Sequence, residues 1–266
     1  MAMTDRSAAW PWRGGVPPHL PRPARMPKAF LLPGDPARVD FAASVLRDFV
    51  IVGQNREFRL GCGYYDDVPI GVCSTGIGGA SAEIATIELA AMGAGVLVRT
   101  GGCGALASDL SLGDFLVADE AVRNSGVAAV YARDPASPVR ADPSVSAALL
   151  QACNALGLPG RPGRCVTADG YYRAQGRPNT ADGRGDPDVL DRFAAAGADA
   201  VEMEAEIIFA AAAACGARAG AILAVHAHRR SDGWLEDYEM TQRNLMRAGA
   251  QALATILKTS DSSNVS

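Results

Sequence analysis

The feature that most constrains this chain is the alternation of short apolar, β-branched runs with stretches of helical spacing. AFLLP (29–33), FVIVGQ (49–54), PIGVCS (69–74), GVLVRT (95–100), DFLVADE (114–120) and AGAILAV (219–225) are each bounded by glycine, proline or polar residues, the pattern of strands covered on both faces. Between them Pro36 opens a run, PARVDFAASVL, that suits a helix. Ala80, Ile84, Ile87 and Ala91 recur at helical spacing, as do Leu245, Ala248, Ala252 and Ile256. Strands separated by helices predict an α/β fold around a largely buried sheet. In such folds ligands gather at the loops leaving the C-terminal ends of strands.

Size and charge remove several function classes. The chain has 266 residues, 48% of them hydrophobic and 20% charged, enough to bury a core without disulfide staples. A net charge of −4 and a pI near 5.4 give no basic footprint for nucleic acid. No apolar run reaches the roughly 18 residues of a membrane span. The six cysteines are scattered without a C-x-x-C pair, and the expectation is reduced thiols in a cytoplasmic protein. Residues 1–26, with five of the sixteen prolines, read as an arm and lack the continuous apolar stretch of a secretory leader. Residues 27–258 read as one domain without linker or repeat, and 259–266 as a polar, frayed tail.

Four strand exits carry candidate chemistry. Pro33-Gly34-Asp35-Pro36-Ala37-Arg38 is a glycine turn leading into a helix start with an arginine one turn in, either an anion site or a plain tight turn. Ser74 to Ser81 (STGIGGAS) also opens a helix, but a dinucleotide fingerprint would want glycine at Ser81 and an acid ending the next strand. That strand ends in Arg99, so a 2′-phosphate version stays open. The third exit is Arg99 with the loop TGGCG after it. Arg38, Arg56 and Arg99 come from separate segments, and three planar guanidiniums can surround one phosphate; Arg56 alone also reads as a surface charge. The fourth, Val201-Glu202-Met203-Glu204, enters an alanine-rich helix. Two carboxylates there need partners, and vicinal ribose hydroxyls would serve, as would the helix dipole.

These motifs together resemble the nucleoside phosphorylase-I superfamily, and within it the uridine phosphorylases. PGDPxR, NREF, CSTGIGG, the arginine-glycine loop, EME and AVHAHRR follow in order between Phe30 and Leu257. The resemblance implies a three-layer α/β/α single domain with a distorted mixed central sheet. It implies reversible phosphorolysis of a nucleoside to free base and ribose 1-phosphate, with phosphate as co-substrate and no other cofactor. Phosphate would be held by Gly34, Arg38, Arg99, the Gly102 loop and, from a neighbouring subunit, Arg56. Ribose would meet Met203, Glu204 and His19, again from the neighbour. The base would meet Tyr171, Gln175, Arg177 and Glu202. Arg99, Glu204 and Arg229 would carry catalysis, Arg229 standing where uridine enzymes have an arginine and purine enzymes an aspartate; Asp232 is near enough for a shifted loop to present it. Gln175 offers a donor and an acceptor to the uracil edge, and Arg177 a donor to O4. Glu57, Ile77 and Ser81 resemble positions that hold a monovalent cation such as K+ between subunits. A homo-oligomer built from dimers, commonly a hexamer, follows from the shared sites.

Two departures bear on activity. Gly102 stands where the family usually carries a serine or threonine touching phosphate and ribose. A lost hydroxyl contact is worth about 0.5–1.5 kcal/mol, or up to about 3 if charged, which predicts phosphate affinity weaker by one or two orders of magnitude or a different acceptor. His226 and Ala227 replace an apolar pair. His226 and His228 alternate on a strand end and point to opposite sides, which does not suit metal chelation by that pair. Three rival readings remain: a hydrolytic nucleosidase, a purine phosphorylase, and a nucleoside-binding protein with reduced catalysis.

Overall fold

The computed structural model describes residues 10–12, 14–132, 134, 137–179 and 183–263. Its elements are β1 (Ala29–Leu32), α1 (Pro36–Asp40), β2 (Arg47–Asn55), β3 (Phe58–Tyr65), β4 (Val68–Cys73), α2 (Gly79–Met92), β5 (Val96–Ala105), β6 (Phe115–Val122) and α3 (Gly126–Ala129). They continue with β7 (Val139–Arg140), α4 (Pro143–Ala155), β8 (Gly160–Thr167), α5 (Asp188–Ala195), β9 (Ala200–Glu202), α6 (Ala205–Ala214), β10 (Arg218–His228), β11 (Gly233–Trp234) and α7 (Glu239–Ser263).

All strands belong to one mixed sheet, ordered β11-β10-β6-β8-β9-β5-β1-β4-β3-β2, with β7 on β6. The β2, β3 and β4 meander is antiparallel, and β1 joins it to the parallel pairs β4–β1, β1–β5 and β5–β10. The distortion lies in β5. Its first four residues pair with β1, and its last two pair antiparallel with β9. Because β10 runs along the whole of β5 and also pairs with β6, strands β5, β10, β6, β8 and β9 close a small ring at one end of the sheet. Here the structure departs from the sequence reading of Arg99 as a strand end: β5 continues through Thr100 and Gly101 to Ala105.

Alternation sorts the core into two layers. Phe30, Leu32 and Leu97 face α2 and α6 with Leu89, Ile207 and Phe209, all buried. Ala29, Leu31, Val96 and Val98 face α4 and α7 with Val145, Leu149, Leu245 and Leu253. That is the three-layer arrangement expected of an α/β chain whose strands are apolar on both faces. Asp142, through Oδ1, caps α4 by accepting from the amides of Ser144 and Val145 at 3.0 and 3.2 Å.

Described parts of the expected arm and tail are packed or helical. Pro17, Leu20 and Pro23 of the expected arm are buried, and the Glu88 carboxylate of α2 accepts from the amides of His19 and Leu20 at 3.2 and 2.9 Å. Helix α7 runs to Ser263, past the point where a frayed tail was expected, because its apolar stripe packs along the sheet. Residues 1–9 of the arm lie outside the described residues. No described helix is long and apolar enough to cross a membrane, and all six cysteines are free.

Cross-strand glycines admit aromatic rings at two places. A Cβ on Gly71, the β4 partner of Phe30 in β1, would lie 2.0 Å from that ring, and one on Gly61 would lie 2.3 Å from Phe49. Overpacking of this kind costs about 1–3 kcal/mol. Gly71→Ala is therefore expected to lower the thermal unfolding midpoint by several degrees; an unchanged midpoint by calorimetry would mean that Phe30 is not held against that strand.

Candidate active site

The C-terminal ends of β1, β5, β9 and β10 open into one cleft of about 1030 Å³. Its floor is β5. Glycine is needed there because other side chains already fill the space. A Cβ on Gly101 would lie 2.7 Å from Cζ of Arg99, one on Gly102 2.2 Å from Nδ1 of His226, and one on Gly104 2.8 Å from the stem of Arg229. Each glycine thus seats one polar side chain at van der Waals range of the backbone.

Arg99 is the centre of the anion end. Its side chain is 5% exposed. Nε donates to Glu202 Oε2 at 2.8 Å, and Nη2 pairs with Glu204 Oε2. Burial opposes its charge, but Glu204 and then Glu202 outweigh that and hold the guanidinium above its ordinary range. Nη1 is buried with no hydrogen-bond partner among the described residues. A buried, charged N–H left unpaired costs more than a satisfied one.

Arg38 lines the same cleft. Asp35 starts α1 by accepting from the amide of Ala37 at 2.9 Å. The turn itself is laced to the β4 exit, with Thr75 and Gly76 amides donating to the carbonyls of Pro33 and Gly34 at 2.9 Å each. That lacing places Gly34 and Arg38 at the cleft wall. Burial, then Arg99, pushes Arg38 below its ordinary range. Two guanidiniums repelling each other across one cleft is a stored demand for an oxyanion.

The acidic pair divides its labour. Glu204 and Met203 line the cleft. Glu204 Oε1 accepts from the amide of Gly78 at 2.5 Å; burial pushes its carboxyl up, against the pull of Arg99. Glu202, expected against the base, also lines the cleft. Its fully buried carboxylate accepts from Arg99, from the Thr167 hydroxyl, and from the amides of Glu204 at 2.8 Å and Ala205 at 2.9 Å. It fixes Arg99 and the start of α6.

At the other end, Tyr171, Gln175 and Arg177 line the cleft with Trp234. Gln175 Oε1 accepts from Arg177 Nη1 at 2.6 Å and Arg229 Nη1 at 3.1 Å, and its carbonyl accepts from Arg229 Nη2 at 2.9 Å. Arg177 lies over the Tyr171 ring at 4.1 Å and the Trp234 ring at 5.9 Å. Burial shifts both Arg177 and Arg229 downward; the charge of Arg177 adds to this at Arg229, while Tyr171 pulls both back up. The result is a rigid block of donors beside aromatic faces.

The remaining expected residues stand apart. Arg56, in the left-handed region at φ 52°, is exposed on the β2–β3 turn and does not line this cleft. Next to it in sequence, Glu57 does line it and accepts from the Ser81 hydroxyl at 2.7 Å. That hydroxyl holds the Glu57 carboxyl below its ordinary range. Ile77 is exposed at the rim. No group of three or more His, Cys, Asp or Glu among the described residues is arranged to hold a metal. His19 lies against α2, its Nδ1 2.6 Å from Glu88 Oε1. Phe41, Trp234, Tyr238 and Gln242 line the cleft without having been foreseen; only the position of Trp234, just beyond the AVHAHRR loop, hinted at it.

The family model described as "Phosphorylase superfamily" matches residues 28–259. A uridine phosphorylase of Thermococcus kodakarensis is 38% identical over 210 residues, 78% of this chain and 76% of its own. A guanosine phosphorylase of Halorubrum lacusprofundi is 36% identical, over 73% and 76%, and the uridine phosphorylase of Escherichia coli K12 33%, over 75% and 79%. With a match that spans the whole sheet and every wall of the cleft, the chain belongs to the phosphorylase superfamily.

Proposed function

We propose that this protein is a nucleoside phosphorylase that prefers uridine, a cytoplasmic pentosyltransferase yielding uracil and ribose 1-phosphate. The observation that carries the reading is the unpaired, buried Nη1 of Arg99 beside Arg38, at the opposite end of one cleft from the Gln175–Arg177–Arg229 block. Phosphate answers the first feature and a carbonyl-rich base the second. A phosphate oxygen forms a bond to the anomeric carbon as the glycosidic bond breaks, and the bonding pair leaves with the base. The arginines hold the nucleophile in line and stabilise oxocarbenium-like charge by placing the dianion beneath it. Arg177 and Arg229 donate to the negative charge that develops on uracil. Glu204 and Met203, which line the cleft, would meet the sugar.

A uracil base is favoured over a purine because Arg229, seated on Gly104, donates to the cleft-lining Gln175, while Asp232 interacts through its charge with Arg177 and Arg229; neither Arg229 nor Asp232 itself lines the cleft. The guanosine-cleaving relative makes the purine control necessary. Shared sites in a homo-oligomer, hexameric by the family resemblance, would bring in Arg56 and His19, which lie together: Asn55 of the Arg56 turn donates to the His19 carbonyl at 2.8 Å. A monovalent cation at Glu57, Ile77 and Ser81 belongs to the same proposed contact.

Ultraviolet assay of uridine with and without phosphate, beside inosine and guanosine, tests the reading. Uracil is expected only with phosphate and faster than either purine. Release without phosphate would make the protein a hydrolase, and faster purine cleavage would overturn the base assignment. Arg38→Ala is expected to raise the KM for phosphate about 10- to 100-fold with little change in that for uridine, and Arg177→Ala to do the reverse. Equal effects on both substrates would contradict the division of the cleft.

A further inference from the structure

His226 is the extra residue of a bulge in β10. Against β5 the register runs Ala224 with Gly102, Val225 with Cys103, then Ala227 with Gly104, so residue 226 is left without a partner. A bulge re-aims the side chain it carries. Here the imidazole comes to rest in the space a side chain at 102 would take, with Nδ1 2.2 Å and Cε1 2.5 Å from the position of a Cβ there. The fit is reciprocal: a side chain on 102 would expel this ring, and the ring requires glycine at 102.

The other side of the ring is fixed. Nε2 lies 2.8 Å from the amide nitrogen of Gln242, and the Tyr238 ring meets the imidazole edge-on at 4.9 Å. An amide nitrogen only donates, so Nε2 accepts and the imidazole proton sits on Nδ1. Among the described residues this Nδ1–H has no hydrogen-bond partner, and the ring borders the cleft together with Arg38 and Arg99. Burial first, then Arg38 and Arg99, pushes His226 down to about 4, so the ring is neutral at neutral pH and adds a donor without a third positive charge.

We propose that the Nδ1–H of His226 is a third donor to the bound phosphate, supplied by β10 in place of a side chain at position 102. The proposal rests on the reading of the Arg38–Arg99 end as a phosphate site, not on the identity of the base. It reverses the expectation drawn from Gly102 alone: the missing hydroxyl does not weaken phosphate affinity, because another strand replaces it.

Calorimetry with inorganic phosphate on the full chain tests this without any turnover. His226→Leu is expected to weaken phosphate binding about tenfold or more. His226→Asn, whose amide nitrogen reaches the place of Nδ1, is expected to stay within about threefold. Gly102→Thr alone should weaken binding by displacing the ring, and His226→Leu with Gly102→Thr should recover it. Unchanged affinity in His226→Leu overturns the proposal, as does equal weakening in His226→Asn, the sign of a packing role. Should His226→Leu fail to fold, nitrogen-15 NMR of the unmodified protein decides, with only three histidines in the sequence. An Nδ1-protonated ring that shifts on phosphate addition supports it; an Nε2-protonated ring, or no shift, overturns it. Intact phosphate binding without uridine cleavage would overturn the base assignment alone, and absent phosphate binding would overturn the reading of the Arg38–Arg99 end as a phosphate site and this proposal with it.

Discussion

The buried charge of Arg99 between Glu202 and Glu204 organises the rest of this molecule. Three ionised groups taken out of water are each expensive, by several kcal/mol, unless pairing and hydrogen bonds offset the loss. Here β9 ends so that Glu202 can take Arg99 Nε and the amides of Glu204 and Ala205, and α6 begins where Glu204 can take Nη2. Strand β5 must then be bare beneath the guanidinium, which Gly101 provides. Strand ending, helix start and glycine placement are thus one solution to one electrostatic problem. Of the three guanidinium nitrogens it leaves Nη1 without a hydrogen-bond partner among the described residues.

The same bareness of β5 explains how one cleft holds two chemistries. Gly102 and Gly104 seat His226 and Arg229 from β10 and the turn beyond it, so residues contributed by a parallel neighbour stand directly on the floor. One glycine faces the anion end and the other the base end. The sugar carbon that changes partners would lie between them, within reach of Glu204 and Met203. Catalysis by positioning needs such rigidity, because misplacement by about 1 Å can cost on the order of a hundredfold in rate.

Much of this was legible in the residues. Strands such as AFLL and AGAILAV announced themselves by unbroken apolar runs, and residues of the PGDP and EME segments, with His226 and Ala227, line the cleft. What was not legible has physical reasons. FRLGCGYY and GRPGRCVT carry glycine, proline and arginine inside strands, because β3 packs glycines under Phe49 and β8 completes a ring that local propensity cannot foresee. That four hydrogen-bond donors converge on Glu202 is likewise invisible in the sequence. His226 looked like a departure, since a bulge changes which residues are neighbours without leaving a mark in composition. Polar α7 residues near 259 stayed helical because the apolar stripe before them is anchored on the sheet.

The central claim is that the unpaired donors at the anion end exist to bring a phosphate oxygen to the anomeric carbon. Phosphorus-31 NMR of the protein with uridine and inorganic phosphate reads that bond directly. The account predicts that the inorganic phosphate signal falls as a sugar 1-phosphate signal grows, one for each uracil released. Free ribose with the phosphate signal unchanged would contradict it.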